Sequence, residues 1–112
     1  MNNALPKIAT ANQQLGVAAA ANQQIAAGNN VAANVKRVNA ANNKAANNFM
    51  AGAAALNNSA SRSINAPNSF KNKLRKAASF FEQAAMHALT NKPLNAARSA
   101  GNGIRNLPTI QH

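Results

Sequence analysis

The chain has 112 residues, enough for one domain, and carries 12 Lys and Arg against one acidic residue, Glu82, for a formal net charge of +11. Such a surface cannot neutralise itself through internal ion pairs. It therefore favours a polyanionic partner, with nucleic acid first and an acidic membrane surface or acidic protein as alternatives. A single carboxylate excludes a catalytic carboxylate pair, and the lack of cysteine excludes disulfides and thiolate metal sites.

The apolar content of 46% consists mostly of alanine, with four Phe and no Trp or Tyr. Burying a methyl group stabilises a fold far less than burying a Leu or Phe, so we expect a thin core. The longest apolar runs, residues 16–21 and 51–56, are much shorter than the ~20 residues that span a bilayer. We also expect no secretory signal in residues 1–20. The composition therefore predicts a chain that is ordered within an oligomeric assembly.

Residues 1–7 are predicted to be an N-terminal extension, and residues 8–58 a low-complexity Ala/Asn/Gln helical region. Steps of three and four from Ile8 to Leu56 fall mostly on apolar or small residues, which is helical periodicity. The stretch is predicted to form one long helix, or two helices separated by a break near Gly28. About 50 residues of unbroken helix would reach ~75 Å, too long to wrap into a core of its own.

The apolar stripe of this region is predicted to be a protein interface, with copies of the chain or with other proteins. Its largest side chains are Val35, Val38, Phe49 and Leu56. Asn at stripe positions can set the register of a helical bundle. The abundant Asn and Gln allow two interpretations. Their side-chain amides could line a conduit for nucleic acid, or they could simply keep an Ala-rich helix soluble.

Residues 59–68 are rich in turn formers and are predicted to be a linker, followed by a basic amphipathic helix over residues 69–91. Phe70, Leu74 and Phe81 share one face of this helix at helical spacing, with Phe80 on its flank. We expect these side chains to dock the helix on a neighbour. Residues 92–112 are predicted to form a short helix, ended by the glycines at 101 and 103, and a tail without clear periodicity.

The first candidates for phosphate contact are four cations within six residues, Lys71, Lys73, Arg75 and Lys76. The next candidates lie in the low-complexity region: Lys36, Arg37 and Lys44. A second interpretation of this cluster is binding to an anionic membrane surface, because its cations lie beside Phe and Leu. A third interpretation is a solvent-exposed helix face over a small core. Scattered cations without a compact recognition element favour binding that is independent of sequence.

No arrangement for catalysis is evident. His87 follows Glu82 by five residues, so the two do not share a helix face, and no glycine-rich phosphate loop is present. We therefore expect a non-enzymatic protein with no cofactor and no metal site.

The repeated segments Ala11-Asn12-Gln13-Gln14-Leu15 and Ala21-Asn22-Gln23-Gln24-Ile25 resemble in style the internal virion or DNA-ejection proteins of bacteriophages. Those proteins are helical and oligomeric, and they pass through or line the genome conduit. The helix-turn-helix layout and the lack of acids are also similar to small coat proteins of filamentous archaeal viruses that wrap DNA.

These resemblances imply an α-helical structural component of a viral particle, located in the virion and in the host cytoplasm during assembly. Its expected partners are nucleic acid, DNA in preference, and copies of itself and other virion proteins. A nucleoprotein or coat protein that wraps the genome is the first alternative, and a membrane-active amphipathic helix protein is the second.

Overall fold

The protein is all-α, as predicted. The computed structural model describes residues 3–108, which form four helices: α1 (Ala4–Ala26), α2 (Val31–Arg62), α3 (Asn68–Leu89) and α4 (Pro93–Arg105). Helices that follow one another in the chain pack side by side, and α4 also contacts α1, so the four close into a bundle in which α3 lies diagonally opposite α1. The molecule measures 55 × 23 × 17 Å. Residues 1–2 and the tail over residues 109–112 lie outside the described range.

The low-complexity region is two helices, because the chain turns back at residues 27–30. Gly28 has φ +77°, its N–H donates to the Ile25 carbonyl at 3.0 Å, and the Asn29 N–H donates to the Gln24 carbonyl at 2.9 Å. These two bonds form a Schellman motif, in which a glycine in the left-handed region ends the helix. The two helices, of 23 and 32 residues, therefore cover each other, which one unbroken helix could not do.

Helix α3 lies within two residues of its predicted bounds at each end, and three other boundaries differ by four residues or more. Helix α1 begins at Ala4 inside the predicted extension, since Ala4 is buried and Pro6 lies in the first turn, where no N–H partner is needed. Helix α2 continues to Arg62, four residues past the predicted end, because Ala60 packs in the core. Helix α4 runs through both glycines to Arg105.

The glycine at position 103 has a packing role and does not end α4. A Cβ atom at Gly103 would lie 2.7 Å from Cζ of Phe81, so the bare backbone lets α4 approach the aromatic ring on α3. Gly52 plays a similar part between α2 and α1, where a Cβ would lie 3.0 Å from Cγ1 of Ile8.

The core is internal to the chain and is built from a few large side chains among many alanines. Phe49 of α2 and Phe81 of α3 stack at its centre, with ring centroids 6.3 Å apart and an interplanar angle of 11°. The largest fully buried side chains are Phe49, Phe81, Ile8, Leu56 and Leu74. Alanine at most of the remaining buried positions lets the helices lie close together.

Most of the side chains predicted to dock on a neighbour are used within this core. Phe49, Leu56, Leu74 and Phe81 are fully buried in the single chain, and Val38 is buried in a smaller cluster between α1 and α2. Phe70 and Phe80 are half-buried, and Val35 alone among the eight is exposed. The periodicity identified the buried faces, but the element that covers them is another helix of the same chain.

Three asparagine side chains join α1 and α2 to the turn between α3 and α4. Asn91 in that turn has φ +56°, and its Oδ1 accepts hydrogen bonds from Nδ2 of Asn22 and Nδ2 of Asn42, both at 2.9 Å. Its Nδ2 donates to Oδ1 of Asn22 at 3.1 Å. Residues 23–41 extend past this junction as a two-helix arm with Gly28 at its tip.

Candidate nucleic-acid interface

The positive charge of the protein is exposed and almost uncompensated. All 12 Lys and Arg lie within the described residues, and ten of them are exposed, with Lys7 and Lys71 half-buried. The residues one turn away from Glu82 on α3 are Ala78, Ser79, Ala85 and Met86, so no cation is placed to pair with it along the helix. The exposed cations can therefore attract a polyanion, because no acidic side chain neutralises them.

The four neighbouring cations of α3 lie on two different flanks of the helix. Lys71 and Arg75 are one turn apart on the first flank, and Nζ of Lys71 donates to the Ile64 carbonyl in the α2–α3 connection at 3.4 Å. This flank therefore faces α2. Lys73 and Lys76 are three residues apart on the opposite flank, which faces α4. The cluster in the sequence is thus not one cluster on the surface.

Two cations of α4 complete a basic face together with the second pair. Arg98 and Arg105 are exposed, seven residues apart, and therefore share the outer side of α4. The Gly103–Phe81 contact aligns the antiparallel helices, so that Arg105 lies near the level of Ser79 and Arg98 near the level of Met86. We call this surface the α3–α4 basic face, formed by Lys73, Lys76, Arg98 and Arg105.

The density of charge distinguishes the α3–α4 basic face from the rest of the surface. Its four cations lie within about 13 residues of helix rise, or ~20 Å. On α2, helical spacing places Arg37, Lys44 and Arg62 on one side, but they span 25 residues, or ~38 Å. Glu82 follows Arg75 by seven residues and lies on the Lys71 flank, outside the α3–α4 basic face.

The remaining candidates from the sequence lie elsewhere. Lys36 and Arg37 are exposed on the two-helix arm, and because they are adjacent in sequence they point to different sides of α2. Lys44 is exposed near the base of the arm. The sequence candidates did not include Arg98 and Arg105, although their seven-residue spacing is a signal for a shared helix face.

The exposed side of α1 after Lys7 carries no charged side chain of its own. No Lys, Arg, Asp, Glu or His occurs between Ile8 and Val35, so the exposed side of α1 after Lys7 is formed by Ala, Gly, Val, Thr, Asn and Gln. Because α1 is diagonally opposite α3, this uncharged surface lies across the bundle from Lys73 and Lys76. Within residues 3–108, no group of three or more His, Cys, Asp or Glu side chains could hold a metal ion.

Comparison of the chain with protein-family models, with curated proteins and with solved structures finds no match. Among the four described helices, none is both long and apolar enough to cross a membrane.

Proposed function

We propose that the protein is a non-enzymatic structural protein that binds nucleic acid, DNA in preference, independently of sequence through the α3–α4 basic face. The observation that supports this most directly is the presence of four exposed, uncompensated cations on one surface of two packed helices. Lys and Arg that contact phosphates release condensed counterions, which gives binding without base recognition.

The bundle offers little for recognition of bases. Phe49 and Phe81 are fully buried and Phe70 and Phe80 are half-buried, so no exposed ring forms a stacking platform for a single strand. The ~20 Å length of the α3–α4 basic face corresponds to about six base pairs of duplex at ~3.4 Å per pair. We therefore expect phosphate contacts along a short piece of duplex.

Burial disfavours the membrane alternative for α3. An interfacial helix binds a bilayer through its exposed apolar side, but Leu74 and Phe81 of α3 have no exposed surface in the bundle. Membrane insertion of this helix would require the core to open first. A nucleic-acid partner needs no such change.

The proposed setting is a viral particle, as an internal virion or ejection-type protein, with a genome-wrapping coat protein or nucleoprotein as the alternative. Support for this setting comes from the Ala/Asn/Gln repeats at residues 11–15 and 21–25. The nucleic-acid proposal has separate support, because it depends on the position of the cations alone.

The test is a salt series with fluorescently labelled duplexes of two unrelated sequences. If all four cations of the α3–α4 basic face contact phosphates, the slope of log K against log salt is about −3.6, and affinity falls roughly 150-fold between 50 and 200 mM salt. Equal slopes for both duplexes are expected. Absence of binding at low salt would overturn the proposal, as would stronger binding and leakage with anionic liposomes than binding to DNA.

A further inference from the structure

The histidine of α3 lies on the flank of that helix that faces α4. Of the two histidines in the chain, His87 belongs to α3 and His112 lies outside the described residues. His87 follows Lys76 by 11 residues, or three helical turns, so the two side chains share one side of the helix. Phe80, seven residues before His87, lies on the same flank. Both rings are half-buried, as expected for side chains that rest against a neighbouring helix and remain partly open to solvent.

The packing of α4 on α3 brings this histidine to the level of an arginine. The register of the two antiparallel helices places Arg98 near the level of Met86, one residue before His87. The short turn between the helices requires the same register, and the Lys92 N–H in that turn donates to the His87 carbonyl at 2.8 Å. His87 and Arg98 therefore lie side by side on helices whose axes are ~8–10 Å apart.

His87 extends the α3–α4 basic face on the side that α3 contributes. Lys73 and Lys76 lie at one end of this face, and no Lys or Arg occurs between Lys76 and His87. At the other end, Arg98 has no Lys or Arg beside it on α3. A phosphate bound by Arg98 would lie next to the imidazole, which donates from both ring nitrogens and carries a positive charge once it is protonated.

The charged groups around His87 are cations, apart from one carboxylate that points elsewhere. Lys76 lies on its own helix, Lys92 in the following turn and Arg98 on α4. Glu82, the one acid of the chain, lies on the flank that faces α2, and the cations of α2 are beyond that same flank. No carboxylate is therefore placed to pair with a protonated imidazole, and a bound phosphate would be the first anion beside it.

Imidazole is the side chain that changes its charge between about pH 5 and pH 8. The last turn of α3 accommodates a positive charge, because the C-terminal end of a helix dipole is negative. We propose that His87 is a fifth phosphate-binding residue of the α3–α4 basic face and makes nucleic-acid binding tighter as the pH falls. This inference rests on the proposed nucleic-acid binding and adds its regulation by pH. Because phosphate favours the protonated imidazole, binding takes up a proton and weakens as the pH rises.

The salt dependence gives the expected size of the effect. Five phosphate contacts in place of four change the slope of log K against log salt from about −3.6 to about −4.5. For equal affinities at 1 M salt, the fifth contact strengthens binding about 15-fold at 50 mM salt and about fourfold at 200 mM. The effect is therefore largest at low salt.

The test is a salt series with labelled duplex DNA at about pH 5.5 and about pH 8. The wild type should show the steeper slope at the lower pH. His87→Gln should show the shallower slope at both pH values, and His87→Lys, which has a permanent charge, the steeper slope at both. His112→Gln is the matched control, because it removes the other imidazole, and it should keep the pH dependence of the wild type. Circular dichroism at both pH values checks that each variant remains helical.

A second measurement needs no variant. Titration calorimetry of the wild type with duplex DNA, in two buffers with different heats of ionisation, measures the protons exchanged on binding. At about pH 7, binding should take up a fraction of one proton. Binding without proton uptake would overturn the inference.

The outcomes distinguish this inference from the proposed function. No binding of the wild type at low salt, at either pH, would overturn both. Binding with the same slope at both pH values would overturn only the role of His87. A pH dependence that persists in His87→Gln, or that disappears in His112→Gln, would do the same.

Discussion

Replacing Gly103 with alanine should destabilise the bundle, although alanine favours helix formation more than glycine does. The new Cβ would lie 2.7, 2.9 and 3.0 Å from three ring atoms of Phe81, against ordinary contacts of 3.4–4 Å. Phe81 is fully buried and stacks on Phe49, which is also fully buried, so the ring cannot move away without disturbing a second one. The clash must therefore be relieved by separating α4 from α3.

The magnitude follows from two opposing effects. Overpacking of a close-packed core costs about 1–3 kcal/mol, and the helix preference of alanine returns at most about 1 kcal/mol. Subtracting the gain from the cost leaves a net loss of up to about 2 kcal/mol in the free energy of unfolding, or up to ~8 °C in Tm for a domain of this size. Thermal unfolding followed by circular dichroism at 222 nm measures both quantities.

A double-mutant cycle with Phe81→Leu tests the cause of this effect. Removing the ring atoms eliminates the clash, so Gly103→Ala should become neutral or stabilising in the Phe81→Leu background. If Gly103→Ala stabilises the wild-type chain, or destabilises both backgrounds equally, the close approach of α4 to Phe81 is not the reason for glycine at this position.

Two further predictions concern the turns. Asn91→Gly keeps the left-handed turn but removes the hydrogen bonds to Asn22 and Asn42. The buried Asn42 side-chain amide then loses its partner, which should lower the free energy of unfolding by about 1–3 kcal/mol. Asn91→Ala removes the same bonds and also strains the turn, so it should cost about 1 kcal/mol more. Urea unfolding should therefore rank wild type above Asn91→Gly above Asn91→Ala, and equal midpoints would contradict a role for the amide junction. Gly28→Ala should destabilise by about 1–2 kcal/mol through its positive φ alone, because no atom lies within 4 Å of the added Cβ. An unchanged urea midpoint would show that the turn adapts.

The helices were predictable from the sequence because the spacing of the apolar residues and the positions of the turn-forming residues indicate the same segments. The steps from Ile8 to Leu56 marked the buried sides of α1 and α2, and Gly28 marked the turn between them. What covers those sides was not predictable, because periodicity identifies a buried face without identifying its neighbour. Phe49 therefore reads equally well as an interface residue and as the core residue it is.

Two further errors have a common source, which is that sequence composition does not report tertiary contacts. Gly101 and Gly103 indicate a helix end by composition, but the Phe81 ring makes a glycine necessary inside α4. The run from Lys71 to Lys76 suggests one cationic patch, but adjacent residues of a helix point in different directions. The spacing of Arg98 and Arg105 was the more informative signal, and its partners on α3 become evident only when the two helices are packed.

The measurement that tests the central claim most directly compares two variants with the same loss of charge. The first variant neutralises the α3–α4 basic face through Lys73→Gln, Lys76→Gln, Arg98→Gln and Arg105→Gln. The second neutralises four cations of α2 through Lys36→Gln, Arg37→Gln, Lys44→Gln and Arg62→Gln. Both variants have a formal net charge four units below the +11 of the wild type. In a duplex-DNA salt series, the first variant should lose most of a slope of about −3.6, while the second should lose less than about 1. Equal losses would mean that only total charge matters, and a larger loss in the α2 variant would place the nucleic-acid interface on α2.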